Sequence, residues 1–119
     1  MINKLTSICL VSLLMLGAAG TTYGAVASGG TITTNGAYTI HAFTNSGAFT
    51  VNPLCSLACE VLIVAGGGGG AVGGGGAGGL ILTNISVSGL NIATIGAGGA
   101  GGTWGAAGNS GQDSSFSTI

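Results

Sequence analysis

Glu60-Val61-Leu62-Ile63-Val64-Ala65 runs straight into a tract, residues 66–79, that is glycine except at Ala71, Val72 and Ala77. The apolar run is short, rich in β-branched residues and bounded by glycine, so it reads as a buried strand. A second glycine tract opens at Gly96, again behind a short apolar run, Asn91-Ile92-Ala93-Thr94-Ile95. Tracts of this kind offer a fold bare backbone rather than side-chain chemistry.

Their phase carries the reading further. In the second tract Gly96, Gly99, Gly102, Gly105, Gly108 and Gly111 recur at every third position, with Ala97, Ala100, Thr103 and Ala106 one step on. In the first tract Gly67, Gly70, Gly73, Gly76 and Gly79 keep the same interval, and Ala71 and Ala77 share a phase. A polyproline-II-type helix has three residues per turn, so glycine at each third position presents an edge that another backbone can approach. Collagen follows the same steric rule but needs abundant proline, and Pro53 is the only proline. The expectation is a set of polyglycine-II-like segments packed side by side. Glycine loses the most entropy on ordering, so a single tract without neighbours would remain a flexible linker.

Outward from the tracts the pattern is β. Upstream, Thr31-Ile32-Thr33-Thr34 and Ala37-Tyr38-Thr39-Ile40 flank Asn35-Gly36, a two-residue hairpin signal. Asn45-Ser46-Gly47 predicts a second hairpin between residues 40–44 and 48–51. Pairing 44 with 48 sets Phe43 against Phe49 and His41 against Val51, and the first turn sets Ile32 against Thr39. Ile32, His41, Phe43, Phe49 and Val51 then form the face expected to be buried. Between the tracts, residues 80–87 and 91–95 read as strands joined by a turn at Ser88-Gly89-Leu90. The expected fold class is all-β: a meander of short antiparallel hairpins carrying polyglycine-II-like segments, behind an N-terminal signal helix.

That helix is residues 1–27. Lys4 supplies a positive n-region, Ile8-Cys9-Leu10-Val11-Ser12-Leu13-Leu14-Met15-Leu16 an apolar h-region, and Ala25-Val26-Ala27 a small-x-small site. Cleavage is expected after Ala27, with Gly24 as the second choice. The apolar run breaks at Gly17 and is shorter than the about 20 residues a spanning helix needs. Residues 28–119 are then one exported domain, secreted or held at the cell surface, touching the membrane only through its signal segment. Asn84-Ile85-Ser86 is a glycosylation acceptor should the secretory pathway be eukaryotic.

Composition excludes several functions. The 119 residues include 27 glycines but only one Lys or Arg, and charged residues make up 3%. Nucleic-acid binding needs several cations to neutralise phosphates, and a polybasic membrane patch needs the same. Near-zero net charge weakens repulsion between copies, so self-association or a host or cell-surface component is the expected partner class. Gly68-x-Gly70-x-x-Gly73 after a strand imitates a dinucleotide fingerprint. More glycine follows where the fold requires a helix, and no lysine stands in the tract, so no nucleotide and no cofactor is expected.

Few side chains remain for chemistry. Glu60 and Asp113 are the only carboxylates and His41 the only histidine. One His without clustered Cys, Asp or Glu does not make a metal site, so His41 reads as a strand residue beside the phenylalanines. No nucleophile elbow accompanies these groups, and no enzyme is expected. Cys55 and Cys59 are separated by three residues, not the two of a redox motif, and zinc would require two more ligands. In an exported chain they are expected to form a local disulfide. Trp104 stands alone in the second tract. It is expected to lid bare backbone, with a sugar-stacking platform as the alternative. Trp104 and Tyr38 are the candidate ligand contacts.

An ordered set of segments resembles a known family. It comprises the residues from Tyr38 to Val51, then Val61-Leu62-Ile63-Val64-Ala65-Gly66-Gly67-Gly68-Gly69-Gly70. Gly96-Ala97-Gly98-Gly99-Ala100-Gly101-Gly102 follows, and then Asn109 and Ser114-Ser115-Phe116-Ser117-Thr118-Ile119. Together they resemble the glycine-rich domain of phage and environmental proteins, some of them tail-fibre adhesins with polyglycine-II sandwich tips. The resemblance implies a β-framework carrying packed glycine helices, with variable loops that contact host receptors. It departs from the family in having an apparent export signal and in ending at the Ser-Ser-Phe element, as a truncated reading frame would. Two functions follow as expectations: a secreted or surface structural and adhesive module, and a receptor- or carbohydrate-binding tip.

Overall fold

The computed structural model describes residues 2–4 and 27–117. The signal segment therefore lies, apart from Ile2–Lys4 and Ala27, outside the described residues. Every regular element among them is a β-strand: β1 (Ile2–Lys4), β2 (Ala27–Ser28), β3 (Thr31–Asn35), β4 (Tyr38–Ala42), β5 (Gly47–Val51), β6 (Leu57–Val64), β7 (Leu80–Val87), β8 (Leu90–Thr94) and β9 (Ser115–Phe116). They form two antiparallel sheets, ordered β3-β4-β1-β6-β7 and β2-β5-β8-β9. The all-β antiparallel class expected from the sequence is the class observed.

The central run is β6, and its alternation decides the sandwich. Leu57, Cys59, Val61 and Ile63 are buried, while Ala58, Leu62 and Val64 face outward. Its full-length partner β7 pairs Leu57 with Val87 and Val64 with Leu80. From the second sheet Ala27, Phe49, Val51, Ala93 and Phe116 meet these side chains in a single core cluster. Two sheets facing each other across interdigitated apolar side chains is ordinary sandwich packing.

The expected meander holds only in its first turn. β3 and β4 form a hairpin, with Asn35 paired to Tyr38 around Gly36 and Ala37. Gly36 has a φ of 60°, the left-handed conformation that such a turn demands. The turn thus sits one residue later than expected, and Ile32 pairs with His41 rather than Thr39. Ile32 is half-exposed because β3 is an edge strand.

The second expected hairpin does not form. β4 and β5 lie in different sheets, and β5 pairs with β2 and β8 instead. Loop 43–46 arches from one layer to the other, so His41 and Phe49 stack face to edge across the core rather than standing side by side on one sheet. Their ring centroids are 4.9 Å apart at 79°. Phe49 also meets Phe43 at 6.5 Å and Phe116 at 5.9 Å, both edge-on. The same arching separates β7 from β8 around Gly89, with a φ of 62°.

His41 is buried, and its Nδ1 lies 2.8 Å from the Gly29 carbonyl. It ties the β2–β3 corner to the core, consistent with a packing role. Asn91 has a comparable role in the second sheet. Its Nδ2 donates to the Ser88 and Gly89 carbonyls at 3.2 and 3.3 Å, and its Oδ1 accepts from Ser117 Oγ at 2.9 Å.

Ile2–Lys4, expected in a signal n-region, forms a strand between β4 and β6. Ala27, expected at the cleavage point, is buried and paired with Val51. The Cys55–Cys59 bridge is not formed in this structure. Strand alternation in β6 turns Cys59 into the core between Leu57 and Val61, away from the loop that carries Cys55. Burial pushes the Cys59 thiol from the ordinary 9.0 up to about 11.

This shift has a measurable consequence. The fold favours the neutral thiol, so the stabilisation is complete below pH 9 and is lost as pH rises toward 11. The expected loss is on the order of 2 kcal/mol. Urea titrations at pH 8 and pH 11 should show it for the native chain and show a smaller pH dependence for Cys59→Ala. Equal pH dependence in the two proteins would contradict the buried-thiol account.

Candidate functional site: the glycine bundle and its tip

The glycine tracts leave the ends of the strands and return to them. Residues 65–70 continue from β6, and residues 73–79 return into β7. Residues 96–102 continue from β8, and residues 106–112 return toward β9. Ala65 N–H donates to the Gly79 carbonyl (2.9 Å) and Gly68 N–H to that of Gly76 (2.9 Å), so the glycines continue the β6–β7 pairing at three-residue steps rather than as a ladder.

The first segment also bonds the other two. Gly66 and Gly69 donate to the carbonyls of Gln112 (2.9 Å) and Asn109 (2.8 Å). The first segment's Gly67 and Gly70 carbonyls accept from Gly99 (2.8 Å) and Gly102 (2.9 Å). The third and fourth segments close on each other through Asn109 to Ala100 (2.9 Å) and Gln112 to Ala97 (2.8 Å). Each series advances by three residues. Four extended segments are thus cross-bonded into one bundle, as neighbouring backbones rather than as a strand ladder.

Close approach explains the glycines. A Cβ at Gly66, Gly69, Gly75, Gly78, Gly96, Gly99, Gly108 or Gly111 would overlap a carbonyl oxygen of the neighbouring segment. All of these share one three-residue phase. In the second tract this is the phase read from the sequence. In the first it is one residue earlier than expected: Gly73, Gly76 and Gly79 have open space, whereas Gly66, Gly69, Gly75 and Gly78 are the packed positions. A nearly continuous run of glycine contains no side chain to mark its inward edge. The fourth segment shows the rule most clearly, since Gly108 and Gly111 face inward while Asn109, Ser110 and Gln112 carry exposed side chains.

Two hydroxyls fasten the bundle to the sandwich. Ser46 Oγ accepts from Ile95 N–H and Ser114 Oγ from Gly96 N–H, both at 2.9 Å, where the chain leaves β8. Beside them is a cavity of about 240 Å³ lined by Phe43, Val61, Ile63, Ile95, Ser115 and Phe116 among others. It is small and mostly apolar, and it separates the two sheets at the base of the bundle.

The far end of the bundle carries two turns. The Gly102 to Gly70 bond brings them together, with residues 71–73 on one side and 103–105 on the other. Gly105, at a φ of 84°, makes the second turn. Trp104 is 90% exposed and Val72 70% exposed. The expectation that Trp104 lids bare backbone is therefore corrected: its turn projects past the last bonded glycine, so the indole reaches no backbone surface. Tyr38 begins β4 at the opposite end of the molecule, so the two candidate contact residues do not share a site. Val72 was missed, and its signal was available as the one large apolar residue interrupting the first tract.

The ionisable groups are dispersed. His41 lies in the core, Glu60 on β6 and Asp113 on the exposed fourth segment. Among the described residues no three His, Cys, Asp or Glu side chains gather as a metal site would require. The glycine fingerprint at Gly68, Gly70 and Gly73 turns back at residues 71–73 and continues extended, without the helix N-terminus that holds a pyrophosphate.

A family model described as a glycine-rich domain matches residues 43–119. No curated protein and no solved structure gives a significant match.

Proposed function

The chain belongs to the glycine-rich domain family, and from that premise we propose that it is an exported structural and adhesive module without catalytic activity. The observation that carries this reading is the three-residue step of the bonds joining the four glycine segments. It supports a polyglycine-II-like bundle whose interior is backbone against backbone. Such a bundle is stiff for its mass because each segment is tied at repeated points to its neighbours. The sandwich serves as its base, and the bundle holds the turns at 71–73 and 103–105 away from it.

Export enters the proposal through residues 1–27. Either cleavage would remove β1 from between β4 and β6; cleavage after Ala27 would also divide β2, whereas cleavage after Gly24 leaves Ala27 paired with Val51. Cleavage after Gly24 is therefore the preferred site, and N-terminal sequencing of secreted protein distinguishes the two.

A second reading is favoured by one observation, the exposure of Trp104 and Val72 at the same end. Exposed aromatic residues on a rigid support suit receptor or carbohydrate contact, because an indole face stacks on a sugar ring at little entropic cost. A glycan and cell-surface binding screen separates the two readings. Saturable binding that falls at least tenfold in Trp104→Ala, with unchanged circular dichroism, establishes the tip as a receptor site. Binding that is indifferent to Trp104→Ala leaves only the structural module.

A further inference from the structure

The leader and the fold share a strand. Ile2, Asn3 and Lys4 of β1 pair with Ile40, Thr39 and Tyr38 of β4, and Ile2 also pairs with Glu60 of β6. β1 is therefore an interior strand of the five-stranded sheet, and among the described residues it alone joins β3–β4 to β6–β7 within that sheet. Both neighbours run antiparallel to it, so they are parallel to each other. They stand two strand spacings apart, about 9–10 Å, and share no ladder once β1 is gone.

The other end of the same leader is also built into the sandwich. Ala27 and Ser28 form β2, paired with Val51 and Thr50 of the second sheet, and Ala27 is buried in the core. The connection 5–26, which contains the apolar run 8–16, thus leaves from one sheet and returns to the other. A leader engaged in export is arranged differently. Its positive n-region stays on the side of synthesis while the cleavage point crosses, so a hydrocarbon layer of about 30 Å separates the two. Lys4 and Ala27 cannot belong to one sandwich and lie on opposite sides of a membrane at the same time.

We propose that β1 makes folding and export mutually exclusive: a chain that closes its sheet around Ile2–Lys4 holds its own leader and is withheld from processing. The inference rests on the export reading of residues 1–27. The fold with β1 in place is then the precursor's, and the exported chain carries β4 and β6 without the strand between them. The lock is made of backbone, because an interior strand is bonded along both sides. Proline at its centre lacks the N–H that such a strand donates and opens the lock, while Lys4, the charge of the n-region, is untouched.

Pulse–chase labelling of the full chain in a secreting bacterial host tests it. The native chain is expected to leave a long-lived, protease-resistant precursor. Asn3→Pro should reduce that precursor by about threefold or more in favour of processed protein, and Asn3→Thr, which suits a strand, should retain it. Phe49→Ala, with its core emptied, should be processed rapidly because its sheets do not close. In the retained precursor the register partners Ile2→Cys and Glu60→Cys, introduced together, should join on mild oxidation. Failure of Phe49→Ala to be processed would overturn the export reading and this inference with it. If Phe49→Ala is processed, three results overturn the lock alone: a native chain without a lasting precursor, an Asn3→Pro precursor as abundant as the native one, or a retained precursor in which the two introduced cysteines do not join.

Discussion

Gly99→Ala is expected to melt the glycine bundle through a single added methyl group. A Cβ at Gly99 overlaps the Asn109 carbonyl, and that same oxygen accepts the N–H of Gly69. The methyl therefore separates the third segment from the fourth and the fourth from the first. The carbonyl cannot rotate aside as a side chain would, because its peptide plane is fixed by the bond that it accepts. The expected cost is about 3 kcal/mol or more, above the usual range for a single substitution. In a chain of this size it lowers Tm by more than about 10 °C. Hydrogen exchange should accelerate at Gly66, Gly69, Gly102, Asn109 and Gln112, whose N–H groups bond across the segments. Gly76→Ala is the matched control: it has open space, and its φ is not positive. It should be neutral, or stabilising by about 0.5 kcal/mol through reduced freedom in the unfolded chain. Equal effects of the two substitutions would refute the packed-backbone account of the bundle.

Phe49→Ala carries the second large effect. Phe49 is fully buried and is the one residue whose ring meets His41, Phe43 and Phe116. Its removal leaves a cavity between the sheets and takes away three edge-on aromatic contacts, at a cost of about 3–5 kcal/mol. A domain of this size is stable by only about 5–10 kcal/mol, so the variant should be substantially unfolded near body temperature. The glycine bundle should fail with it, because Ser46 and Ser114 anchor the third segment through residues that pack beside this cluster. Near-ultraviolet circular dichroism and thermal unfolding measure the loss. A variant that retains a native melting transition would mean that the core is distributed rather than centred on Phe49.

How much of this was legible depends on what each residue type records. Of the expected face Ile32, His41, Phe43, Phe49 and Val51, all but Ile32 turn inward, because alternation of period two is a local property that survives any pairing, whereas Ile32 lies on an edge strand that the second sheet does not cover. The all-β class and the three-residue glycine beat were readable for the same reason. The first hairpin was visible in Asn35-Gly36, although its turn slid by one residue onto Gly36-Ala37, where Gly36 supplies the positive φ alone. The second hairpin was not determined by its loop. Asn45-Ser46-Gly47 permits a return in the same sheet or an arch into the other, and the choice is made by Phe49 reaching His41 and Phe116 together.

The bundle divides in the same way. The fourth segment announced its inward edge, because Asn109, Ser110 and Gln112 occupy every position where a side chain fits. The first tract concealed its own, because a run of glycine is sterically blank and its phase is assigned only by the carbonyls of the neighbouring segments. Cys59 was visible as a thiol, but its inward direction follows from its register in β6 and not from its spacing to Cys55. By itself, the sequence determined that this chain is built from strands and backbone packed at intervals of three, since those periodicities are local. Which sheet each strand joins, which glycines bear the contact and where Trp104 stands were decided by tertiary structure, since each depends on atoms distant in the chain.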